Sequence, residues 1–175
     1  MYYCSGKVHI MVRTLICCIF AATFFSSCGY YEHRERQQLY AQIKLTNDTL
    51  DRLTREWHSL LDIALRTKNF SVLNTGRIEL GQFLSRRRSA IADMELPADA
   101  EPLRGSEGVF LSTQADMVAD VYPKFELFND LTPDSTIHNQ LAEVSKDMGT
   151  ELSWNLTIKK SLSTFASRNN LKIRR

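Results

Sequence analysis

The chain has 175 residues and a mass of 20.1 kDa, with 43% hydrophobic residues, 24% charged residues and a formal net charge of +2. Because this length fits one ordinary domain, a large multidomain enzyme is excluded. The 7 Gly and 4 Pro are too few for the turns of a many-stranded sandwich or barrel, and the apolar content is too high for a wholly disordered chain. Composition alone therefore favours helices.

The N-terminal 27 residues have the pattern of an export signal. They contain no Asp or Glu, two basic residues, Lys7 and Arg13, and an apolar run from Leu15 to Phe25. A run of this length extends about 16 Å as a helix, which is roughly half the hydrocarbon thickness of a bilayer. The sequence thus predicts a cleaved signal peptide over residues 1–27, not a permanent membrane span, with Met11 as an alternative start.

Two small residues, Ser26 and Ser27, stand directly before Cys28. This pattern resembles the lipobox of bacterial lipoprotein precursors, although Phe25 stands where Leu is usual in that motif. The resemblance implies that Cys28 is lipidated and becomes the mature amino terminus. The alternative is ordinary signal cleavage, which would leave Cys28 as a free thiol.

Residue 29 bears on which membrane would hold such a lipoprotein. In many two-membrane bacteria, lipoproteins retained at the inner membrane resemble one another in carrying Asp directly after the cysteine, whereas this chain has Gly29. The resemblance therefore implies a lipid-anchored location in the cell envelope, with the outer membrane preferred over the inner membrane.

Cleavage before Cys28 would change both the cysteine count and the charge. All four cysteines lie at or before position 28, so no disulfide could form within one mature chain, and stability would rest on the hydrophobic core alone. Removing Lys7 and Arg13 leaves 20 Lys and Arg against 20 Asp and Glu. This neutral balance argues against nucleic-acid binding, which needs a dominant basic surface.

Helical periodicity begins soon after the anchor and a polar stalk predicted over residues 28–38. In the first predicted helix, about 31–68, the inward positions alternate in steps of four and three, which is the period of bundles and coiled coils. Intervening polar residues such as Gln42 and Asn47 are expected on the opposite face. Thr46 interrupts the apolar seam, and we expect it to fix helix register. The inward positions are Leu39, Ile43, Thr46, Leu50, Leu53, Trp57, Leu60 and Ala64.

A second helix is predicted over about 71–94 and a third over about 106–129. Gly76 and Gly81 weaken the second helix and indicate close packing against a neighbour. The Pro-containing stretch 95–105 is expected to be a loop, with Ser106 as the cap of the third helix. Pro123 should kink or interrupt that helix, because it lacks a backbone N–H. The inward positions of these two helices are Leu73, Leu80, Phe83 or Leu84, Ile91, Met94, Phe110, Gln114, Met117, Val121, Phe125 and Phe128.

A fourth helix is predicted over about 133–167, with Thr132 as its N-cap and Pro133 at its first position. Its inward positions are Ile137, Leu141, Val144, Met148, Leu152, Asn155, Ile158, Leu162 and Phe165. The predicted fold is all-α: an up-down-up-down four-helix bundle over residues 39–168, in which the first and fourth helices are long and the other two are shorter. The start of the first helix and the end of the fourth then lie at the same end.

Basic residues concentrate at the end of the chain, in and just before a tail over residues 169–175. In the predicted topology this tail lies near the lipid, where each basic side chain can contribute about 1 kcal/mol of attraction to anionic headgroups. The hypothesis is membrane-surface contact, and the alternative is a frayed, solvated C-terminus. The four residues concerned are Arg168, Lys172, Arg174 and Arg175.

Arg86, Arg87 and Arg88 form the one concentrated run of charge. A helix spreads three consecutive side chains over about 200°, so they cannot form one flat patch. Arg87 falls close to the inward phase of the second helix. Two interpretations stay open: a solvated helix face, or an anion or partner site facing the Pro-containing loop.

Motifs for catalysis and metal binding are not found in the sequence. No Glu-x-x-His pair of the di-iron type occurs, and no Ser stands in a Gly-x-Ser-x-Gly elbow. His138 has Asp134 four residues earlier, a spacing typical of a surface helix pair. We therefore expect no metal, no cofactor and no enzymatic activity.

These patterns together predict a membrane-anchored bacterial envelope lipoprotein that acts as a non-enzymatic binding or structural module. Its partners would be the membrane, through the N-terminal lipid, and an envelope protein or polymer; nucleic acid is not expected. The alternative is a small-ligand carrier with a site between helices, beside Pro123 and Met117, where a kink would open the core. An enzyme with an unrecognised site is a third hypothesis.

Overall fold

The computed structural model describes the backbone of residues 5–171 and, within it, the side chains of residues 31–146, 149 and 152–171. The helices are α1 (Ser5–Thr67), α2 (Leu73–Ala92), α3 (Glu101–Asp116), α4 (Pro123–Glu126) and α5 (Asp134–Arg168). A 3-10 turn (Phe70–Val72) precedes α2, and a π-helical turn (Met117–Val121) joins α3 to α4. This part of the chain contains no strand, so the predicted all-α class is confirmed. No helix in it is both long and apolar enough to cross a membrane.

The seam predicted on α1 is the face that forms the core. Every predicted position on it is buried except Leu60, which is half-buried. The buried stripe is wider than predicted, because Leu61 and Thr54 are buried as well. Asn47, which was expected on the polar face, is only 6% exposed, so that prediction was wrong.

The connection between α1 and α2 is made by local backbone chemistry. Lys68 takes a left-handed conformation (φ 56°), which ends α1 at Thr67, close to the predicted end. The predicted start near residue 31 was wrong, since α1 begins at Ser5 and runs through the predicted stalk over 28–38 without a break. The Asn69 side chain then accepts the Ser71 N–H at 3.3 Å and starts the 3-10 turn. The chain reverses within a few residues, and α2 packs along α1.

Gly76 is the point of closest approach between α1 and α2. A Cβ built there would lie 3.1 Å from Leu60 Cδ1 and 3.5 Å from Trp57 Cδ1. The prediction that this glycine permits close helix packing is therefore confirmed. Gly81 is less restricted, since its Cβ would meet Val118 Cγ1 at an ordinary contact distance of 3.6 Å.

The third predicted helix begins earlier than expected. Pro102 lies in the first turn of α3, where a missing N–H is tolerated, so the helix starts at Glu101. The expected loop over residues 95–105 is thus shorter, and Gly105 lies inside α3. Ser106 is not a cap: its hydroxyl donates to the Pro102 carbonyl at 2.9 Å.

The predicted interruption near Pro123 is confirmed. The Tyr122 N–H donates to the Met117 carbonyl at 3.1 Å, an i to i−5 bond that accommodates the proline as a π-helical turn. The short helix α4 ends at Glu126, three residues before the predicted end. An ion pair between Arg77 and Glu126 attaches α4 to α2.

Helix α5 begins at Asp134, one residue later than predicted, with Pro133 in the N-cap position. Thr132 is not the cap, because its hydroxyl accepts the Asn129 N–H at 2.9 Å and closes the preceding loop. The predicted inward position of Leu152 was wrong, since this side chain is 62% exposed. Met148 lies outside the described side chains. The buried predicted positions are Ile137, Val144, Ile158, Leu162 and Phe165.

The C-terminal end of α5 is closed by a Schellman motif. Asn170 takes a left-handed conformation (φ 51°), and the Leu171 N–H donates to the Ala166 carbonyl at 2.9 Å. Leu171 itself is buried. Residues 169–171, which the sequence placed in the tail, therefore belong to the folded domain, and up to Leu171 the end is not frayed.

Two ion pairs mark opposite ends of the domain. At one end Arg36 of α1 binds Asp99, just before α3, with an Nη2 to Oδ1 distance of 3.0 Å. At the other end Lys68, just after α1, binds Asp134 at the start of α5, at 2.6 Å. Asn155 of α5 also donates to Asp51 of α1 at 2.9 Å. Helices α1 and α5 therefore run antiparallel, so the first turns of the packed part of α1 and the end of α5 share one end, as expected.

Substitution of glycines in α2 and α3 tests the close approach. Gly76→Val should destabilise the fold by about 1–3 kcal/mol, because the added side chain overlaps Leu60. Gly108→Val is the matched control, since nothing lies within 4 Å of a Cβ at that position, and it should change stability by less than about 0.5 kcal/mol. Urea unfolding measures both. Equal effects would show that helix propensity, and not packing, determines the result.

Candidate functional site

Arg87 is the member of the arginine run that points into the structure. Its Nε donates to Thr46 Oγ1 at 2.9 Å, and its Nη2 donates to Gln42 Oε1 at 2.7 Å. Arg87 therefore faces inward, as predicted, and it contacts Thr46, the residue expected to fix helix register. This contact joins α2 to α1. Arg86 and Arg88 are exposed, so the three side chains form no common patch.

Glu107 of α3 lies in the same polar layer of the core. Its side chain is 0% exposed, and neither carboxylate oxygen has a hydrogen-bond partner in the part of the chain that the structure describes. Burial raises the pKa of Glu107 to about 7, while the Asn47 amide and the Arg87 charge partly oppose that rise. Near neutral pH, this carboxyl is therefore close to half protonated.

Other polar atoms of the core are also buried without a partner among the described residues. They lie on α1 and α3, and each costs free energy that the surrounding apolar packing must offset. These atoms are Asn47 Oδ1, Thr54 Oγ1, Trp57 Nε1, His58 Nε2 and Gln114 Nε2. The largely apolar core thus contains polar side chains interspersed along α1 and α3.

The sequence did not reveal Glu107, although a signal for it exists. Leu103, Glu107, Phe110 and Gln114 follow one another in steps of four, three and four, so all four lie on one face of α3. The third helix was predicted to begin at Ser106. Leu103 therefore fell outside it, and the step from Leu103 to Glu107 was not recognised. All four side chains are buried.

The pKa of Glu107 predicts an unusual dependence of stability on pH. The unfolded carboxyl loses its proton near pH 4.5 and the folded one near pH 7, so the folded state binds more protons in between. The contribution of Glu107 to the unfolding free energy should therefore be greatest below pH 4.5 and fall by roughly 3 kcal/mol as pH rises to 7.

Glu107→Gln should remove this fall, because a neutral amide of similar shape does not titrate. Urea unfolding at pH 5 and pH 8 measures the difference for each protein. The exposed Glu79→Gln is the control and should keep the dependence of the unmodified chain. An unchanged pH dependence in Glu107→Gln would contradict the assignment.

The region beside Pro123 and Met117, where a ligand site was hypothesised, is closed by side chains. Trp57 stacks on Tyr122 with ring centroids 3.7 Å apart, and Phe125 contacts Trp57 edge-on at 6.0 Å. Met117 is 6% exposed. The kink therefore fills the core with aromatic rings and does not open it.

Histidines and acids do not assemble into a metal site among the residues that the structure describes. Asp134 is held mainly by Lys68, whose hydrogen bond lowers the Asp134 pKa, while His138 contributes a weaker charge effect. The interaction of Asp134 with His138, predicted as a surface pair, is therefore weaker than the Lys68 to Asp134 ion pair. Burial lowers the pKa of His58, which favours the neutral ring.

An open groove of about 770 Å³ runs between α2 and α3, and we name it the α2–α3 groove. Arg104 beside it donates to the Ala92 and Met94 carbonyls at 3.1 and 3.2 Å, so this guanidinium caps the end of α2. Of the arginine run, only Arg88 lines the groove. Its lining includes Ser85, Arg88, Ser89, Gly105, Gly108 and Ser112.

Of the four predicted membrane-facing residues, Arg168 lies at the end of the domain marked by the Arg36 to Asp99 ion pair, since Arg168 and Asp99 line one depression. Arg168 is exposed there, at the last position of α5. The backbone of Cys28 belongs to α1, eight residues before Arg36, and its side chain lies outside the described side chains. Lys172, Arg174 and Arg175 lie outside the described residues altogether.

Comparisons of this chain with models of protein families, with curated proteins and with solved structures give no significant match.

Proposed function

We propose that this protein is a bacterial envelope lipoprotein, tethered to a membrane through a lipid on Cys28. The observation that carries the proposal is the N-terminal pattern: 27 residues without an acid, a short apolar run, and Ser26 and Ser27 before Cys28. The helical domain would act as a non-enzymatic binding or structural module for an envelope protein or polymer. Gly29 supports the outer membrane as its location.

The position of Cys28 relative to the core supports this proposal. Leu39 is the first buried residue among the described side chains, eleven positions after Cys28 on the same helix. At 1.5 Å per residue, this separation is about 16 Å. A lipid at Cys28 would thus lie beyond the packed domain, where it can enter a bilayer without disturbing the core.

We further propose that α3, the π-helical turn and α4 act as one bent helix. The domain is then an up-down-up-down four-helix bundle of α1, α2, this bent helix and α5. The support is that α2 packs against both α1 and α3, while α5 packs against α3 and runs antiparallel to α1.

Metabolic labelling with palmitate in a bacterial host tests the anchor. The full chain should incorporate label, and Cys28→Ser should abolish it, because the thiol is the acylated group. Cys17→Ser is the control: it removes a cysteine of the predicted signal and should leave labelling intact. Label that persists in Cys28→Ser would refute lipidation at this residue.

A small-ligand carrier remains the second candidate, favoured by the α2–α3 groove. A ligand bound there would raise Tm by mass action, by an amount that grows with its concentration. Thermal unfolding against a panel of small polar and amphipathic compounds measures this shift. Ser89→Trp should cancel a shift that arises in the groove, whereas Glu79→Trp on the exposed part of α2 should not.

A further inference from the structure

A second depression, of about 360 Å³, lies between the start of α3 and the end of α5, and we name it the α3–α5 depression. Its floor is apolar, and polar side chains surround it. Lys160 and Arg168 supply two cations, and Ser161 and Thr164 supply two hydroxyls. The residues that matter here are Leu103, Lys160, Ser161, Thr164, Phe165 and Arg168.

The electrostatic balance of the α3–α5 depression is positive. Asp99 is the acid that lines it, and Arg36 already engages both oxygens of that carboxylate, with Nε to oxygen distances of 3.2 and 3.3 Å. This hydrogen bonding lowers the pKa of Asp99, so it stays ionised and paired. Neither Lys160 nor Arg168 forms an ion pair with any described residue. The two cations are thus available to an external anion.

The location of the α3–α5 depression fits a ligand at a membrane surface. Asp99 links it to Arg36, which lies eight residues, or about 12 Å of helix, after Cys28. A lipid on Cys28 would therefore hold this end of the domain, and with it the depression, beside the headgroups of the membrane. The Schellman motif around Asn170 fixes the backbone at the end of α5, so the position from which the Arg168 side chain extends is set.

We propose that the α3–α5 depression binds the phosphate of an anionic phospholipid headgroup. Lys160 and Arg168 would contact the phosphate oxygens, the hydroxyls of Ser161 and Thr164 would donate to them, and the apolar floor would take the adjoining glycerol carbons. This inference rests on the proposed function, because it assumes that the domain lies beside a membrane. A soluble phosphate ester offers the same chemistry, and the experiment separates these two sources.

Lipid titration of the full chain, purified in detergent, tests the site by native mass spectrometry. Phosphatidylglycerol should bind with one saturable site, and phosphatidylcholine should bind at least about tenfold more weakly. Lys160→Gln combined with Arg168→Gln should weaken phosphatidylglycerol binding by about tenfold or more. The conservative pair Lys160→Arg and Arg168→Lys should retain binding, which separates charge from side-chain identity.

The matched control is Arg86→Gln combined with Lys146→Gln, which removes two exposed positive charges elsewhere on α2 and α5. It should leave phosphatidylglycerol binding unchanged. Equal weakening in both double variants would mean general electrostatic attraction and would overturn the site. Tighter binding of glycerol phosphate than of phosphatidylglycerol would show that the bound phosphate comes from a soluble ester and not from a lipid.

Failure of the anchor and failure of this site give different results. Palmitate labelling depends on Cys28 alone, whereas the titration in detergent reports the depression whether or not Cys28 carries a lipid. Circular dichroism of each double variant checks the fold, which should not change because Lys160 and Arg168 are both exposed.

Discussion

The register of α2 on α1 depends on one polar contact beside the largely apolar core. Arg87 of α2 reaches Thr46 and Gln42 of α1, and a slip of either helix by one turn would leave the guanidinium buried without acceptors. An unmatched buried polar group costs about 1–3 kcal/mol, more for a charge, so wrong registers are penalised strongly. Leucines pack in many registers, whereas this contact permits one. The close approach of the helices at Gly76 acts in the same direction, because a Cβ there would lie 3.1 Å from Leu60 Cδ1 and force that side chain to move.

Glu107 shows that this polar layer is not arranged for maximum stability. A fully buried carboxyl without a hydrogen-bond partner among the described residues destabilises the fold at neutral pH, and an apolar residue of similar volume would avoid that penalty. The stacked and edge-on rings of Trp57, Tyr122 and Phe125 contribute apolar burial that offsets part of this penalty.

Much of the fold could be predicted from periodicity, because a buried stripe recurs every three or four residues whatever it packs against. That rule gave the core face of α1, while the missing N–H of Pro123 gave the break in the third predicted helix. The start of α3 was predicted wrongly, because Pro102 was taken as part of a loop. A proline is tolerated in the first turn of a helix, so α3 begins at Glu101, before the expected loop ends. Leu152 fits the repeat in sequence, yet it lies about 120° around α5 from Ile158 and falls outside the buried stripe. The α3–α5 depression could not be predicted, since Lys160 and Asp99 meet only through the packing of α5 on α3.

A lipid and a headgroup site would act on the domain in different ways. A single tether at Cys28 holds the protein at the membrane and leaves its rotation free, whereas a second contact at the end of α5 selects one orientation. Tethering raises the effective concentration of headgroups near the depression to about the millimolar range, so a weak site would still be occupied. The Schellman motif and the buried Leu171 would favour that contact, because the backbone that carries Arg168 is already fixed and need not be ordered on binding. Orientation can therefore follow from a modest electrostatic contact, provided that it is built on the fixed end of a helix.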